Sequence, residues 1–147
     1  QIFQNQSTAV IMTEMIHDAR VVPIASDASL TNDIRLWTGD SRGHWDGDTL
    51  VVETRNFNNF TQSFGVYGTA EEKLLTERFT RTGPYTVEYE FTVEDLATFK
   101  DKITVMVPMS KVDGQLYEYA CHEGNYGMIN ILRGERMTEQ REEENGQ

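Results

Sequence analysis

From Tyr85 to Val93 every second residue is apolar or aromatic: Tyr85, Val87, Tyr89, Phe91 and Val93 fall in one phase, and Thr86, Glu88, Glu90 and Thr92 in the other. A period of two sends the two sets to opposite faces of a strand, one buried and one wet. Gly83-Pro84 marks a turn just before it, so Leu74 to Thr82, with Leu75 and Phe79 in one phase, reads as the antiparallel partner. A second hairpin is predicted within Trp37 to Phe57. There Asp46-Gly47-Asp48 separates Arg42-Gly43-His44-Trp45 from Leu50, Val51 and Val52, whose bulk suits a pleated surface. Ile103, Val105 and Val107 alternate again, and Asp113-Gly114 follows at hairpin spacing, so a third hairpin returning over Gln115 to Cys121 is expected.

Upstream, Thr8 to Ile24 is a long β-rich run that reads as two strands bent near His17 and Asp18, with Pro23 at an edge or strand end. The segment Asn56 to Thr69 combines three asparagines and two glycines with Phe57, Phe60, Phe64 and Tyr67, the composition of a loop that folds over a cavity. Asn130 to Gln147 has helix-forming composition, but Arg141 to Gly146 is charge-dense and is expected to fray. No internal repeat occurs. The fold expected is therefore all-β, a single antiparallel barrel of about seven to nine strands in the lipocalin or calycin manner, with a sandwich as the alternative and a short C-terminal helix. The barrel domain is placed at residues 1–134 and a charged helical or disordered tail at 135–147. Closure would remove the sheet edges, and a barrel of about eight strands can hold one small ligand.

Length and charge narrow the partners. The 147 residues suit one domain with one core. With 24 acidic against 13 basic side chains the formal charge is −11, a surface that repels phosphate backbones and anionic lipid, so neither nucleic acid nor a membrane is an expected partner. No apolar run approaches the roughly 20 residues that span a bilayer. The single cysteine, Cys121, forms no internal disulfide and leaves the redox compartment open. The first residue is Gln1 rather than Met, which fits a processed chain and points towards export.

Five strings carry a resemblance. IHDARVVPI (Ile16 to Ile24), GDSRGHWDGDTLVVETRNF (Gly39 to Phe57), TERFTR (Thr76 to Arg81), FTVED (Phe91 to Asp95) and YEYACHEGNYGM (Tyr117 to Met128) resemble a large family of uncharacterised bacterial β-proteins, abundant in acidobacterial and environmental genomes. The resemblance spans nearly the whole chain. It implies a common β-fold and a secreted or periplasmic location, and it supplies no reaction. Many such proteins carry Arg at the position of His44 and an Asn-Glu-Asn type of sequence at Cys121-His122-Glu123.

Candidate chemistry sits in the dense polar segments. His17, His44 and His122 are the only histidines, and imidazole titrates nearest neutral pH, which suits general acid or base work; each also reads as a hydrogen-bonded strand histidine. His17 stands out because Glu14, Asp18 and Arg20 surround it. Separations of 27 and 78 residues (44 − 17 and 122 − 44) give no metal-ligand spacing, although His17, His44, His122 and Glu123 are the residues a metal would use. No metal or cofactor is expected. In strand phase Tyr117, Tyr119, Cys121 and Glu123 would share a face, placing a phenol, a thiol and a carboxylate on one wall, or Tyr117 and Tyr119 as core anchors. Glu77 shares its phase with Leu75 and Phe79 and so should be buried, which requires a partner, with Arg20, Arg42 and Arg81 as candidates. Glu94-Asp95 reads as a turn or cap.

Two function classes follow. The first is a metal-independent acid/base enzyme, a lyase or hydrolase acting on a small or carbohydrate-derived substrate. It would use His17, Glu77, Tyr119, His122 and Glu123 as catalytic groups and Arg20, Arg42, Trp45, Phe60, Tyr117 and Asn125 as substrate-binding groups. The rival is a non-catalytic module that holds a sugar or hydrophobic ligand against Trp37, Trp45, Tyr117, Tyr119 and the aromatic loop, with homodimerisation open in either case.

Overall fold

A computed structural model describes residues 1–26, 28–120 and 122–145, with the backbone but not the side chain of His17. The chain divides into two compact units, Gln1–Leu116 and Tyr117–Gln147. Among the described residues, the regular structure of the first is β apart from two short 3-10 turns, Met15–His17 and Ala70–Glu72. Its strands are β1 (Ile2–Gln4), β2 (Thr8–Met12), β3 (Ala19–Pro23), β4 (Asp40–Asp46), β5 (Thr49–Arg55), β6 (Gln62–Phe64), β7 (Tyr67–Thr69), β8 (Leu74–Gly83), β9 (Thr86–Glu94) and β10 (Ile103–Ser110). They form an antiparallel three-stranded sheet β1-β2-β3, a five-stranded sheet β10-β9-β8-β5-β4, and the small β6-β7 hairpin.

The two larger sheets are open rather than closed into a barrel. A parallel bridge between Ile24 and Gly43 joins them at β3 and β4, while β1 and β10 remain edges. Eight strands thus follow one another across the two sheets, and a sandwich describes them as well as an opened barrel does. The β4-β5 and β8-β9 hairpins lie where the alternation puts them, and the Thr8–Ile24 run splits into β2 and β3 around the expected bend, with Pro23 ending β3. The third hairpin does not form. Residues 115–120 pair with no strand, and Cys121 lies outside the described residues, so β10 stays an edge. Short local hydrogen bonds take over instead: Glu123 N–H to Ala120 O, Asn125 N–H to His122 O and Tyr126 N–H to Gly124 O. Pro108, opposite Glu88 in β10, has no N–H for a further strand and fits an edge for that reason.

The second unit holds α1 (Gly127–Asn145), a helix longer and earlier than the short one expected. The division falls between Leu116 and Tyr117, whereas composition placed it at 134/135, inside this helix. Glu, Arg, Gln and Met are strong helix formers, so the charge-dense stretch to Asn145 stays helical; Gly146 lies outside the described residues.

The core lies between the two sheets. Ala9 and Val22 of the smaller one meet Leu50, Val52 and Phe79 of the larger, with Ile11, Ile24, Val87 and Tyr89 packed around them. Close approach depends on Gly43, where an added Cβ would stand 2.8 Å from Ile24 Cδ1 and 2.9 Å from Val22 Cγ1. The aromatic loop is anchored by Lys73, whose Nζ donates to the carbonyls of Gln62 and Ser63 and lies 4.1 Å from the centroid of the Phe57 ring. Burial pushes this ammonium below its usual range, with Asp95 and Glu77 acting against the shift. Asp95, 1% exposed, tightens the turn after β9 by accepting Ala97 N–H at Oδ1. Burial raises its carboxyl, but nearby Ser63 and Thr98 hydroxyls and the Ala97 and Thr98 amides outweigh that and hold it low. Neither Ser63 Oγ nor Asp95 Oδ2 completes a hydrogen bond of full geometry.

Because Gly43 lets the sheets touch, Gly43→Ala should destabilise the fold by about 1 to 3 kcal/mol through overpacking against Val22 and Ile24. Urea denaturation at constant m-value measures this, and an unchanged midpoint would show that the two sheets yield at that point.

Candidate functional site

Glu77 occupies the middle of β8, itself the central strand of the five-stranded sheet, in the inward row that runs Gly43, Val52, Glu77, Phe91, Val105 across neighbouring strands. It is 4% exposed. A carboxylate in that setting needs charge and hydrogen-bond partners. Arg20, on β3 of the other sheet, places Nη2 2.6 Å from Glu77 Oε2, and the Tyr89 hydroxyl donates to Oε1 at 2.8 Å. The Arg20 contact is an ion pair without aligned hydrogen-bond geometry, so Oε2 is charge-compensated rather than fully hydrogen-bonded. Burial pushes the Tyr89 phenol far above its usual range, reinforced by the Glu77 charge and by the hydrogen bond itself; Arg20 opposes this. The Tyr89 ring stacks on Phe79 at 4.8 Å and leans on Phe91 at 5.6 Å, which fixes its hydroxyl.

Arg20 and Glu77 line a cleft of about 340 Å³. Trp37 and Phe57 provide its aromatic wall, Ile11 an apolar patch, and Thr13, Asp18 and Thr38 further polar groups. Trp37 is held by its backbone. Leu36 bridges Phe57, and the Thr61 hydroxyl lies 3.0 Å from both Trp37 O and Asn58 Oδ1, with its one hydrogen shared between them. Trp37 is 67% exposed, and its ring stacks on that of Phe60, 76% exposed, with centroids 5.9 Å apart. Between Thr13 and Asp18 the chain bends at Met15–His17, where Ile16 takes a φ of 68°, a left-handed conformation costly for a β-branched residue.

The sequence candidates divide. Arg20 and Glu77 meet, and Phe60 supports Trp37 beside them. His17 ends the bend next to Asp18, and its side chain lies outside the described part. Arg42 is not at the cleft: it pairs with Asp40 at 2.6 Å and donates to Ala28 O. Trp45 lines a different hollow, with Ile2, Leu50 and Arg81. His44 is opposite Val51 on the β4-β5 ladder, close enough to Asp46 to help lower that carboxyl, though Arg78 does most of it. Tyr117, Tyr119, His122, Glu123 and Asn125 belong to the second unit, where no strand sets a shared face for them. There Asn125 Oδ1 accepts the Gly127 N–H at the start of α1. Tyr89, Thr13 and Thr38 were not singled out from sequence. The alternation that buried Glu77 also pointed Tyr89 inward, so the pairing of β8 with β9 carried a signal for Tyr89; nothing local marks the two threonines.

Among the described residues no group of three His, Cys, Asp or Glu side chains stands close enough to hold a metal. No helix among them is long and apolar enough to cross a membrane. No protein-family model, curated protein or solved structure matches the chain.

Two predictions follow from the Arg20–Glu77–Tyr89 cluster. Glu77→Leu alone strands Arg20 and Tyr89 and should cost about 3 to 5 kcal/mol, whereas replacing all three groups (Arg20→Met, Glu77→Leu, Tyr89→Phe) should restore most of that stability. Urea midpoints of the two variants decide it; equal losses would mean that the three groups are not one energetic unit. The raised Tyr89 pKa adds stability that is complete below the phenol's unfolded value of about 10 and is lost as pH rises above it, because only the unfolded chain then releases the proton. Tyr89→Phe should therefore flatten the loss of stability as pH rises above about 10. Lys73, shifted the other way, contributes an opposite slope that this variant leaves in place.

Proposed function

We propose that the protein is a carbohydrate-binding module whose ligand lies in the Arg20–Glu77 cleft against Trp37. The observation that carries this reading is a solvent-facing, backbone-pinned indole beside a buried, charge-paired carboxylate in one cleft. A sugar ring presents an apolar C–H face and a rim of hydroxyls. The first fits a flat aromatic wall, and the second fits carboxylate, guanidinium and threonine groups that accept and donate at fixed positions. A volume of about 340 Å³ lies at the small end of ligand pockets and suits one or two sugar units. On this reading the eight strands of the two larger sheets act as an opened, calycin-like barrel around the ligand. The exported location implied by the resemblance would bring the cleft to extracytoplasmic glycans.

Binding is favoured over acid/base turnover because the cluster offers no releasable proton: Glu77 is charge-paired with Arg20, and the Tyr89 phenol, with its pKa raised, keeps its proton in the hydrogen bond to Glu77. A general acid has to give a proton to the substrate.

Saturation-transfer NMR with glucose, galactose, N-acetylglucosamine and cellobiose tests the proposal. The expected result is transfer to the ring C–H protons of at least one sugar, abolished in Trp37→Ala and retained in Trp45→Phe. Absence of transfer to all four, or an unchanged signal in Trp37→Ala, would overturn it. Conversion of a bound glycoside that disappears in Glu77→Gln would replace binding by catalysis at the same cleft.

A further inference from the structure

Beyond that cleft, two adjoining hollows of about 680 and 400 Å³ share Ile2, Arg81 and Val87. The sheet register sets Arg81, Val87 and Met109 side by side on β8, β9 and β10. The next rung is Leu50, Phe79, Tyr89 and Val107. Trp45, Leu50 and Phe79 wall the larger hollow, and Tyr85 and Met109 the smaller. Together they form an apolar groove beside the open edges of β1 and β10.

One end of the groove is cationic. The β8-β9 register slips between Arg81 and Gly83, a bulge of the kind that re-aims a side chain. The Arg81 fork is fixed by Nε donating to Gly83 O at 3.1 Å and Nη2 donating to Pro84 O at 3.0 Å, which leaves Nη1 unused. None of the ion pairs among the described residues involves Arg81. Lys111 lines the same smaller hollow, its Nζ 5.5 Å from the centroid of Tyr85 and 4.0 Å from the exposed Asp113. The smaller hollow has these two cations and no carboxylate in its wall, in a chain of net charge −11. Asp48 lines the larger hollow beside Trp45, so a second negative charge would be repelled at that end.

We propose that the groove binds a small apolar monocarboxylic acid. Its carboxylate lies between Arg81 and Lys111, and its hydrocarbon runs over Val87, Met109 and Phe79 towards Trp45. The wall supplies affinity through burial of apolar area. The cationic end selects the acid over an equally apolar neutral molecule, since an arginine fork matches carboxylate geometry, and Asp48 selects against a dicarboxylate.

Isothermal titration calorimetry with decanoate, decanol and decanedioate, each below its aggregation or solubility limit, tests this on the full chain. Loss of a charge-assisted hydrogen bond corresponds to roughly a ten-fold to hundred-fold change in affinity. Decanoate should therefore bind at least ten-fold more tightly than decanol or decanedioate. Arg81→Gln and Lys111→Gln should each weaken decanoate by about ten-fold while leaving decanol unchanged, and Trp45→Ala should weaken both. Equal affinity for decanoate and decanol, decanoate binding that survives both charge variants, or no heat with any of the three compounds would overturn the proposal. No sugar is present in these titrations, so their outcome is independent of the carbohydrate reading.

Discussion

A buried carboxylate at the centre of a five-stranded sheet sets the terms for the rest of the molecule. Glu77 stands in the inward row of the central strand, where an apolar residue would be the cheapest occupant, and its charge is met from the other sheet by Arg20. Desolvating two ions costs several kcal/mol each, so the pair adds little net stability while making either partner alone very unfavourable. Its effect is on arrangement. Arg20 meets Glu77 from the other sheet at one place, which ties β3 to β8 at that point, and Tyr89 is the second partner. The cleft above the pair inherits its polarity from that requirement.

Aromatic packing distributes the same constraint outward. Tyr89 is clamped between Phe79 and Phe91, and Phe91 touches Phe64 of the small hairpin at 6.1 Å. Lys73, above Phe57 and tied to the Gln62 and Ser63 carbonyls, fastens the other end of the loop. The Asn56 to Thr69 segment is consequently part of the β unit, and Trp37 is carried at the cleft by a bridge and a hydroxyl rather than by exposed loop chain.

The strands were legible wherever one face was buried. Alternation in Tyr85 to Val93 and the turn at Gly83-Pro84 located β8 and β9, and the phase of Glu77 with Phe79 foretold both its burial and its need for an arginine. The choice among Arg20, Arg42 and Arg81 was not legible, because it depends on how two sheets face each other and not on any local period. Residues 115–120 show the opposite failure: their alternation is present, but a strand needs a neighbour with backbone groups and a face to cover, and local hydrogen bonds from Glu123 to Ala120, Asn125 to His122 and Tyr126 to Gly124 form instead. The tail reads as helical or disordered, since its charge favours disorder while Glu, Arg and Gln favour a helix, and the helix continues to Asn145. The three-residue strands β1, β6 and β7 are too short to show any period at all.

Pro108 bears on how such an open architecture remains a discrete particle. An unpaired strand edge is ordinarily a template on which another chain can polymerise, and the flanking row here is apolar, with Val105, Val107 and Met109. A missing N–H partway along β10 interrupts that template, so a zipper growing along the edge would lose a rung. The hollows beside β1 and β10 can thus stay open to small molecules while strand addition along β10 is interrupted.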